Sequence, residues 1–171
     1  MRTRLAGFIP MNGGYALMHR KDVRNKPLSE YYVFPGGGRE GNETFEEGTK
    51  REIKEEFGID VEIVEKLYEE TSEEFNQTTI YYLCKYISGE FGTGDGPEFN
   101  NDPKYADSGK FIPEIVTKEN LDKIPLMPPE IKEKFIKDVK NGKFQLTSQG
   151  LCDKIINCNP LSQGPKMLET K

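Results

Sequence analysis

The stretch that decides the fold is residues 37–59, GGREGNETFEEGTKREIKEEFGI. From Thr44 onward its apolar residues recur at helical spacing. Thr44 and Glu47 predict a capping box, in which the hydroxyl and the carboxylate satisfy free amides of the first helical turn. Gly58 predicts the end of the helix, because glycine adopts the left-handed conformation there at little cost. Gly48 marks a point at which this capped helix can approach a sheet closely.

The predicted helix carries three carboxylates on one face. Glu52, Glu55 and Glu56 are spaced i, i+3 and i+4, and like charges at that spacing repel by about a few tenths of a kcal/mol per pair. Lysine and arginine side chains nearby relieve part of this repulsion, so these residues alone fit a charged surface helix as well as a metal site. Hard cations such as magnesium prefer the oxygen ligands that they supply. We call these three residues the carboxylate stripe.

A run of three glycines, Gly36 to Gly38, precedes the helix. Without side chains these residues can bring main-chain carbonyls close to a metal and main-chain amides close to a phosphate. Run and helix together resemble the Nudix signature, in which fixed spacings separate a glycine, a glutamate, an Arg-Glu pair, a Glu-Glu pair and a glycine. The matching residues here are Gly37, Glu43, Arg51, Glu52, Glu55, Glu56 and Gly58, with Ile53 and Ile59 at the two aliphatic positions.

The resemblance implies a role for each residue of this box. The carboxylate stripe would hold Mg²⁺ or Mn²⁺, with the carbonyl of Gly37 as a further metal ligand. Its three glutamates are also candidate catalytic residues, since one of them would orient or deprotonate the attacking water. Glu43 and Arg51 would form an internal ion pair that holds the loop to the helix. The candidate substrate-binding residues are Gly36, Gly37, Gly38 and Arg51.

Many members of the family add an acid from a loop beyond the box, as general base or further ligand. The segment from Gly89 to Gly109 is a long loop rich in glycine and acid, and a substrate lid is one interpretation of it. Glu98 is the catalytic candidate in this loop and Asp107 is the alternative, while a solvated loop is the plain reading. Residues 92–96, GTGDG, imitate a phosphate-binding fingerprint, but no apolar helix follows them, which argues against a dinucleotide fold. The other acids nearby are Glu90, Asp95 and Asp102.

Short runs with strand character surround the helix. These runs are residues 5–9, 15–19, 31–34, 61–69, 78–86 and 111–116, with a hairpin turn at 12–14 and a terminator at 35–38. A short helix from Thr117 to Lys123 and a longer one that starts at Pro129 complete the pattern. The resemblance implies an α/β (α+β) fold, a Nudix-type α/β/α sandwich around a central mixed β-sheet. The predicted domain is 1–144, followed by a loosely ordered C-terminal extension at 145–171.

Several other residues are candidates for contact with a substrate. Arg4 and Arg20 are candidates for phosphate binding, although ordinary salt bridges are the commoner role of such side chains. His19, the single histidine, lies at the end of a predicted strand and is interpreted as structural, so the chemistry rests on carboxylates. The aromatic candidates for stacking on a base are Tyr31, Tyr32, Phe99 and Tyr105.

Charge and composition limit the class of protein. The formal net charge of −5 argues against a nucleic-acid duplex as partner, because such a partner needs a basic face. A small polyphosphate remains possible, because a metal reverses the sign of an acidic site. No stretch approaches the roughly 20 apolar residues of a membrane span, so we expect no membrane partner and a cytoplasmic location. Cys84, Cys152 and Cys158 are expected to be reduced, with Cys84 in the core, and monomer and homodimer both remain open.

The sequence as a whole predicts a Mg²⁺- or Mn²⁺-dependent hydrolase that cleaves the diphosphate linkage of a nucleoside diphosphate derivative. A nucleoside triphosphate such as an oxidised dGTP, as for MutT-like enzymes, is one possible substrate, and ADP-ribose or a nucleotide sugar is another. The alternative is a catalytically silent Nudix-fold module that binds nucleotide, which the intact carboxylate stripe argues against. A structural protein with an accidental acidic helix is a third reading.

Overall fold

The described part of the chain folds into strands interrupted by two helices. The computed structural model describes residues 1–100 and 103–144, together with the backbone of 146–147 and 150–151. The strands are β1 (Arg2–Phe8), β2 (Pro10–Met11), β3 (Gly14–Lys21), β4 (Tyr31–Val33), β5 (Gly36–Gly38), β6 (Ile59–Ser72), β7 (Gln77–Gly89), β8 (Lys110–Thr117), β9 (Leu126–Met127), β10 (Leu146–Thr147) and β11 (Gly150–Leu151). The helices are α1 (Phe45–Phe57) and α2 (Pro129–Lys140), and 3₁₀ turns occur at Pro97–Phe99, Pro103–Tyr105 and Lys118–Asn120.

The larger strands form two mixed sheets. One sheet has the order β5-β1-β7-β6, with β1 and β7 parallel and the other neighbours antiparallel. The other sheet has the order β2-β3-β4-β9, with β8 also paired to β3 and with β4 and β9 parallel. A separate short pair is formed by β10 and β11. The predicted mixed sheet is therefore divided into two.

The two helices lie on opposite faces of these sheets, as the side chains of β1 demonstrate. Leu5 belongs to one core, together with Ile53 of α1. Ala6 and Phe8 belong to the other core, where Phe8 packs on Phe135 of α2 with 4.8 Å between ring centroids. Successive side chains of a strand point to opposite faces. The predicted α/β/α sandwich is therefore confirmed.

Local signals predicted several element ends correctly. The hairpin between β2 and β3 turns at Asn12 and Gly13, whose φ angles of 50° and 76° suit a tight turn. Thr44 caps α1 through the predicted capping box, and Gly58 ends the helix with a left-handed φ of 75°. Pro129 is the first residue of α2, as predicted. At each of these ends the decisive contacts join residues close together in the sequence.

One strand was missed and one prediction about an element end is wrong. Strand β4 ends at Val33, just before Pro35 and the glycine run, as predicted, but the glycine run then forms β5 and pairs antiparallel with β1. Its pairing depends on main-chain hydrogen bonds to a distant strand, which local sequence does not reveal. Thr117 is predicted to begin a helix that reaches Lys123, but only the 3₁₀ turn Lys118–Asn120 follows, and the Thr117 side chain makes no capping hydrogen bond.

The remaining predictions concern the cysteines, the C-terminal residues and membrane-spanning segments. Cys84 is a free thiol with no exposed surface, as predicted. Cys152 and Cys158 lie outside the described residues, and so does most of 145–171. The domain boundary after residue 144 therefore stays a prediction. Within the residues that the structure describes, no helix combines the length and the apolar character needed to cross a membrane.

The aromatic cluster around Phe135 predicts a clear effect on stability. Phe135 is fully buried and meets the rings of Phe8, Tyr15 and Phe34 at centroid distances of 4.8, 4.8 and 5.3 Å. We expect Phe135→Ala to lower the free energy of unfolding by about 3–5 kcal/mol, because contacts are lost and a cavity is left. Phe75→Ala is the matched control, since Phe75 is 70% exposed, and we expect a change below about 0.5 kcal/mol. Urea denaturation measures both variants, and equal effects would contradict the placement of α2.

Candidate active site

The frame of the site is α1 resting on β1. The capping box fixes the start of the helix, where the Thr44 amide donates to Glu47 Oε2 at 2.8 Å and the Glu47 amide donates to Thr44 Oγ1 at 3.1 Å. Gly48 faces β1 so closely that a Cβ would clash with Leu5, as the sequence predicts. The second half of the helix lies beside β5, because β5 is the neighbour of β1 in the sheet.

The carboxylate stripe meets the glycine run directly. Glu56 is only 9% exposed and accepts a hydrogen bond of 2.7 Å from the amide of Gly36. Burial raises the pKa of Glu56 to about 8, although the charge of Arg4 and the amide of Gly36 oppose this shift. Glu52 lies against Gly37, where a Cβ would clash with the carboxylate. A side chain at position 37 would therefore displace an acid of the stripe.

Arg51 binds the stripe and the loop together. Its guanidinium donates to both oxygens of Glu43, at 3.1 and 3.0 Å, and to the carbonyl of Gly38 at 3.0 Å. It also donates to Glu52 at 3.0 Å and to Glu55 at 3.3 Å. The hydrogen bonds with Glu43 raise the pKa of Arg51 and lower that of Glu43. The implied ion pair is therefore present, while contact of Arg51 with substrate stays a prediction.

The loop after β7 closes over the C-terminal end of α1. The amide of Gly92 donates to the carbonyl of Phe57, and the amide of Gly96 donates to the carbonyl of Glu55, both at 3.0 Å. Gly94 lies so close that a Cβ would clash with the same Glu55 carbonyl. These bonds satisfy carbonyls that lack partners at a helix end. The glycines of this segment therefore dock the loop, a role that sequence reasoning missed because it depends on contacts with a distant segment.

Docking of this loop brings Glu98 towards the stripe. Glu98 lies in the 3₁₀ turn Pro97–Phe99, and its Oε1 atom is buried without a hydrogen-bond partner among the described residues. Burial raises the pKa of Glu98, and the negative charge of Glu55 adds to the shift. Glu98 in turn contributes to the raised pKa of Glu56. Three other acids of the loop are exposed, namely Glu90, Asp95 and Asp107. Asp102 lies outside the described residues.

The donor set has the chemistry that a hard divalent cation requires. No three histidine, cysteine or acidic side chains in the described ranges are gathered closely enough to hold a metal ion as they stand. The contacts give the reason, because two carboxylates of the stripe turn to Arg51 and the third, Glu56, turns to the amide of Gly36. Mg²⁺ and Mn²⁺ take carboxylate and carbonyl oxygens. The carboxylates of the stripe and the unpartnered oxygen of Glu98 are donors of the kind that such a cation takes. The metal role of the Gly37 carbonyl stays a prediction.

A cavity of about 680 Å³ is lined by two arginines and by three glutamates, Glu70, Glu74 and Glu130. Arg4 lines the cavity, donates to the carbonyl of Gly36 and lowers the pKa of Glu56. Arg20 also lines it and lies 3.6 Å from the centroid of the Phe111 ring. The Nε atom of Arg20 is buried without a hydrogen-bond partner in the described part of the chain, and burial lowers the pKa of this group. Positive charge therefore stands next to the acidic site.

The structure separates the aromatic candidates. Tyr31 lines the cavity. Phe99 and Tyr105 instead pack against Phe111, with ring centroids 6.2 and 5.9 Å away. Tyr32 stacks on the ring of His19 at 4.3 Å. Tyr31 is therefore the candidate that the fold brings to the cavity.

His19 is held by the protein on both sides of its ring. Its Nε2 atom lies 2.7 Å from Glu30 and its Nδ1 atom lies 3.0 Å from Glu114. The hydroxyl of Tyr32 donates to the second oxygen of Glu114 at 2.8 Å, so the residues form one network between β3, β4 and β8. These contacts favour the structural interpretation of His19.

Comparison with known proteins identifies the class to which this fold and site belong. The family model of the NUDIX domain matches residues 1–106. The ADP-ribose pyrophosphatase of Methanocaldococcus jannaschii is 31% identical over 125 residues, which cover 67% of this chain and 72% of that protein. The chain therefore belongs to the Nudix family and is a Nudix hydrolase.

Solved structures with a similar fold carry different names. An ADP-ribose pyrophosphatase from Streptococcus suis has a TM-score of 0.59 at 16% identity, covering 84% of this chain and 93% of that chain. The MutT protein from Methanosarcina mazei Go1 has a TM-score of 0.57 at 17% identity, covering 83% of this chain and 95% of that chain. At these identities the likeness is one of fold, and it leaves the substrate open.

The Glu43–Arg51 pair predicts a measurable coupling energy. The two side chains are 16% and 24% exposed, and two hydrogen bonds join them. In a double-mutant cycle with Glu43→Gln and Arg51→Met we expect a coupling of about 1–3 kcal/mol in the free energy of unfolding. The Lys54–Asp60 pair is the matched control, because its side chains are 51% and 52% exposed, and its coupling should be much weaker. Similar couplings for both pairs in urea denaturation would contradict the bracing role of Arg51.

Proposed function

We propose that the protein is a Mg²⁺- or Mn²⁺-dependent hydrolase that cleaves the diphosphate linkage of a nucleoside diphosphate derivative. The observation that carries this proposal is the contact of the carboxylate stripe with the glycine run, with Glu98 near enough for its charge to raise the pKa of Glu56. Together they supply oxygen donors for a cation and a candidate base, beside a cavity with two arginines. A reducing, cytoplasmic location is part of the proposal and fits the free thiol of Cys84.

The proposed roles follow from the charges of the reaction. A divalent cation bound here would neutralise diphosphate oxygens and lower the pKa of the attacking water. Glu52, Glu55 and Glu56 would hold it together with the carbonyl of Gly37. Arg51 would keep the stripe in place, because its contacts with Glu52 and Glu55 offset the repulsion between these acids.

Glu98 is the proposed general base. Its Oε1 atom has no hydrogen-bond partner among the described residues and is shielded from solvent, so an attacking water that reached it would find a vacant acceptor. Burial raises the pKa of Glu98, and a carboxylate with a raised pKa is a stronger base once it is ionised. Arg4 and Arg20 would stabilise the negative charge that develops on the departing phosphate group.

ADP-ribose or a nucleotide sugar is the proposed substrate class. The support is the 31% identity to a protein named ADP-ribose pyrophosphatase, together with a cavity large enough for a group beyond the diphosphate. An oxidised nucleoside triphosphate is the second candidate, because the Nudix box indicates the diphosphate and leaves open the group attached to it. A catalytically silent nucleotide-binding module is the rival class, and it has no need of the complete stripe.

Hydrolysis of a nucleotide panel tests the proposed function. The panel contains ADP-ribose, nucleotide sugars and nucleoside triphosphates, each with Mg²⁺, with Mn²⁺ and with EDTA, and phosphate products are measured. We expect cation-dependent cleavage by the parent and a loss of at least about 100-fold in Glu56→Gln, because a ligand oxygen loses its charge. Glu46→Gln is the matched control on the same helix, since glutamine retains the acceptor for the Tyr82 hydroxyl.

The two failures of this experiment have different meanings. If the parent binds a nucleotide tightly but cleaves no member of the panel, the hypothesis of a hydrolase is rejected in favour of the binding module. Full activity of Glu56→Gln would leave the enzyme reading intact and reject the assignment of the metal ligands.

Glu98→Gln separates a general base from a further metal ligand. For a base we expect kcat to fall by about 10²–10⁴-fold with an unchanged Mg²⁺ requirement, because only proton transfer is lost. For a ligand, half-maximal activity would instead require more Mg²⁺. Asp95→Asn is the matched control, since Asp95 belongs to the same loop and is exposed. A kcat of Glu98→Gln equal to that of the control would reject both roles.

A further inference from the structure

A row of residues crosses the cavity on one sheet. In the sheet β5-β1-β7-β6, Gly38 pairs with Arg4, Arg4 pairs with Thr79, and Thr79 pairs with Glu70. Residues opposite each other on neighbouring strands share a face of the sheet, and neighbouring strands lie about 5 Å apart. Arg4, Thr79 and Glu70 all line the cavity. The row therefore leads from the glycine run to Glu70, with Arg4 and Glu70 about 10 Å apart at the backbone.

The two ends of this row have opposite charge. The two arginines of the cavity lie towards the stripe, whereas Glu70 lies at the other end of the row, and Glu74 and Glu130 also line the cavity. Glu70 is half-buried, and burial raises its pKa, with Glu130 adding to the shift and Lys134 opposing it. Tyr81, a further residue of the cavity wall, shares a hydrogen bond with Glu70. The carboxylate of Glu70 is therefore a hydrogen-bond acceptor that Tyr81 holds in position and that is partly removed from water.

We infer that this cavity binds a phosphorylated sugar, with the phosphate at Arg4 and Arg20 and the sugar hydroxyls at Glu70. The inference rests on the proposed function, because it assigns the group attached to one side of the diphosphate. Glu70 is a specificity-determining residue and not a catalytic one, since it lies at the opposite end of the row from the glycine run.

The chemistry of the two ends favours this class of ligand. Guanidinium groups bind phosphate oxygens through parallel hydrogen bonds. An ionised carboxylate only accepts hydrogen bonds, and adjacent hydroxyls of a sugar offer two donors to its two oxygens. A second phosphate at Glu70 would be repelled, and a base without phosphate would leave the arginines without an anionic partner. A ligand that carries both a phosphate and adjacent hydroxyls therefore suits the arginines at one end of the row and Glu70 at the other.

Calorimetric titration with EDTA tests the inference with ligands that have no diphosphate to cleave. The probes are ribose 5-phosphate, inorganic phosphate and AMP. We expect Glu70→Gln to weaken binding of ribose 5-phosphate by about ten-fold or more, because a charged acceptor is lost, and to leave phosphate binding unchanged. Glu62→Gln is the matched control, since Glu62 is an exposed carboxylate of the same strand, and it should bind both probes like the parent.

Three results would overturn the inference. They are equal binding of ribose 5-phosphate by parent and Glu70→Gln, no binding of it by the parent at millimolar concentration, and a loss confined to AMP, which would assign Glu70 to the base. If Glu70→Gln lowers the melting temperature, Glu70→Asp replaces it in the test. The aspartate keeps the negative charge, and we expect it to bind ribose 5-phosphate more tightly than the glutamine variant does.

The titration separates this inference from the proposed function. Glu70-dependent binding of ribose 5-phosphate without hydrolysis of any diphosphate would keep the sugar site and reject the enzyme. Hydrolysis with binding that ignores Glu70 would keep the enzyme and reject the sugar site. Where both hold, Glu70→Gln should raise the KM for ADP-ribose and leave kcat nearly unchanged, which a general loss of structure would not do.

Discussion

Repulsion among three carboxylates on one face of α1 is the constraint on which the rest of the site depends. Like charges one turn apart destabilise a helix, and burial of Glu52 and Glu56 adds a cost of desolvation that is expressed in their raised pKa values. Arg51 offsets this cost from one side and the amide of Gly36 offsets it from the other. Arg51 and Gly36, which are not among the proposed metal ligands, therefore make a cluster of buried acids tolerable.

The three residues of β5 connect the parts of the site. Gly36 gives its amide to Glu56 and its carbonyl to Arg4, while Gly38 gives its carbonyl to Arg51. Pairing with β1 holds this short strand in place, so Glu56 of the stripe, Arg51 and Arg4 of the cavity wall all bond to one short backbone segment. A larger residue in the middle of the strand would clash with the stripe, and side chains are therefore excluded where the main chain carries the most contacts.

How much the sequence predicts depends on how far apart the contacting residues lie. The cap at Thr44, the end of α1 at Gly58 and the stripe depend on residues within a few turns of one another, and each was predicted. The pairing of β5 with β1 and the docking of the loop at Gly94 join distant segments, so the sequence did not indicate them. Glu98 was one acid among five in its loop, and only burial distinguishes it from the exposed ones.

The site divides into a part that fixes the reaction and a part that selects the substrate. Chains of similar fold carry the names ADP-ribose pyrophosphatase and MutT, so the same frame serves proteins with different names. In this chain the row from Gly38 through Arg4 to Glu70 follows a single sheet, and strand spacing sets the distance from the glycine run to each residue of the proposed sugar site. A change at Glu70 is therefore expected to alter substrate recognition without affecting the hydrogen bonds of Arg51. A change at Arg51 alters the frame itself, and with it every group that the frame positions.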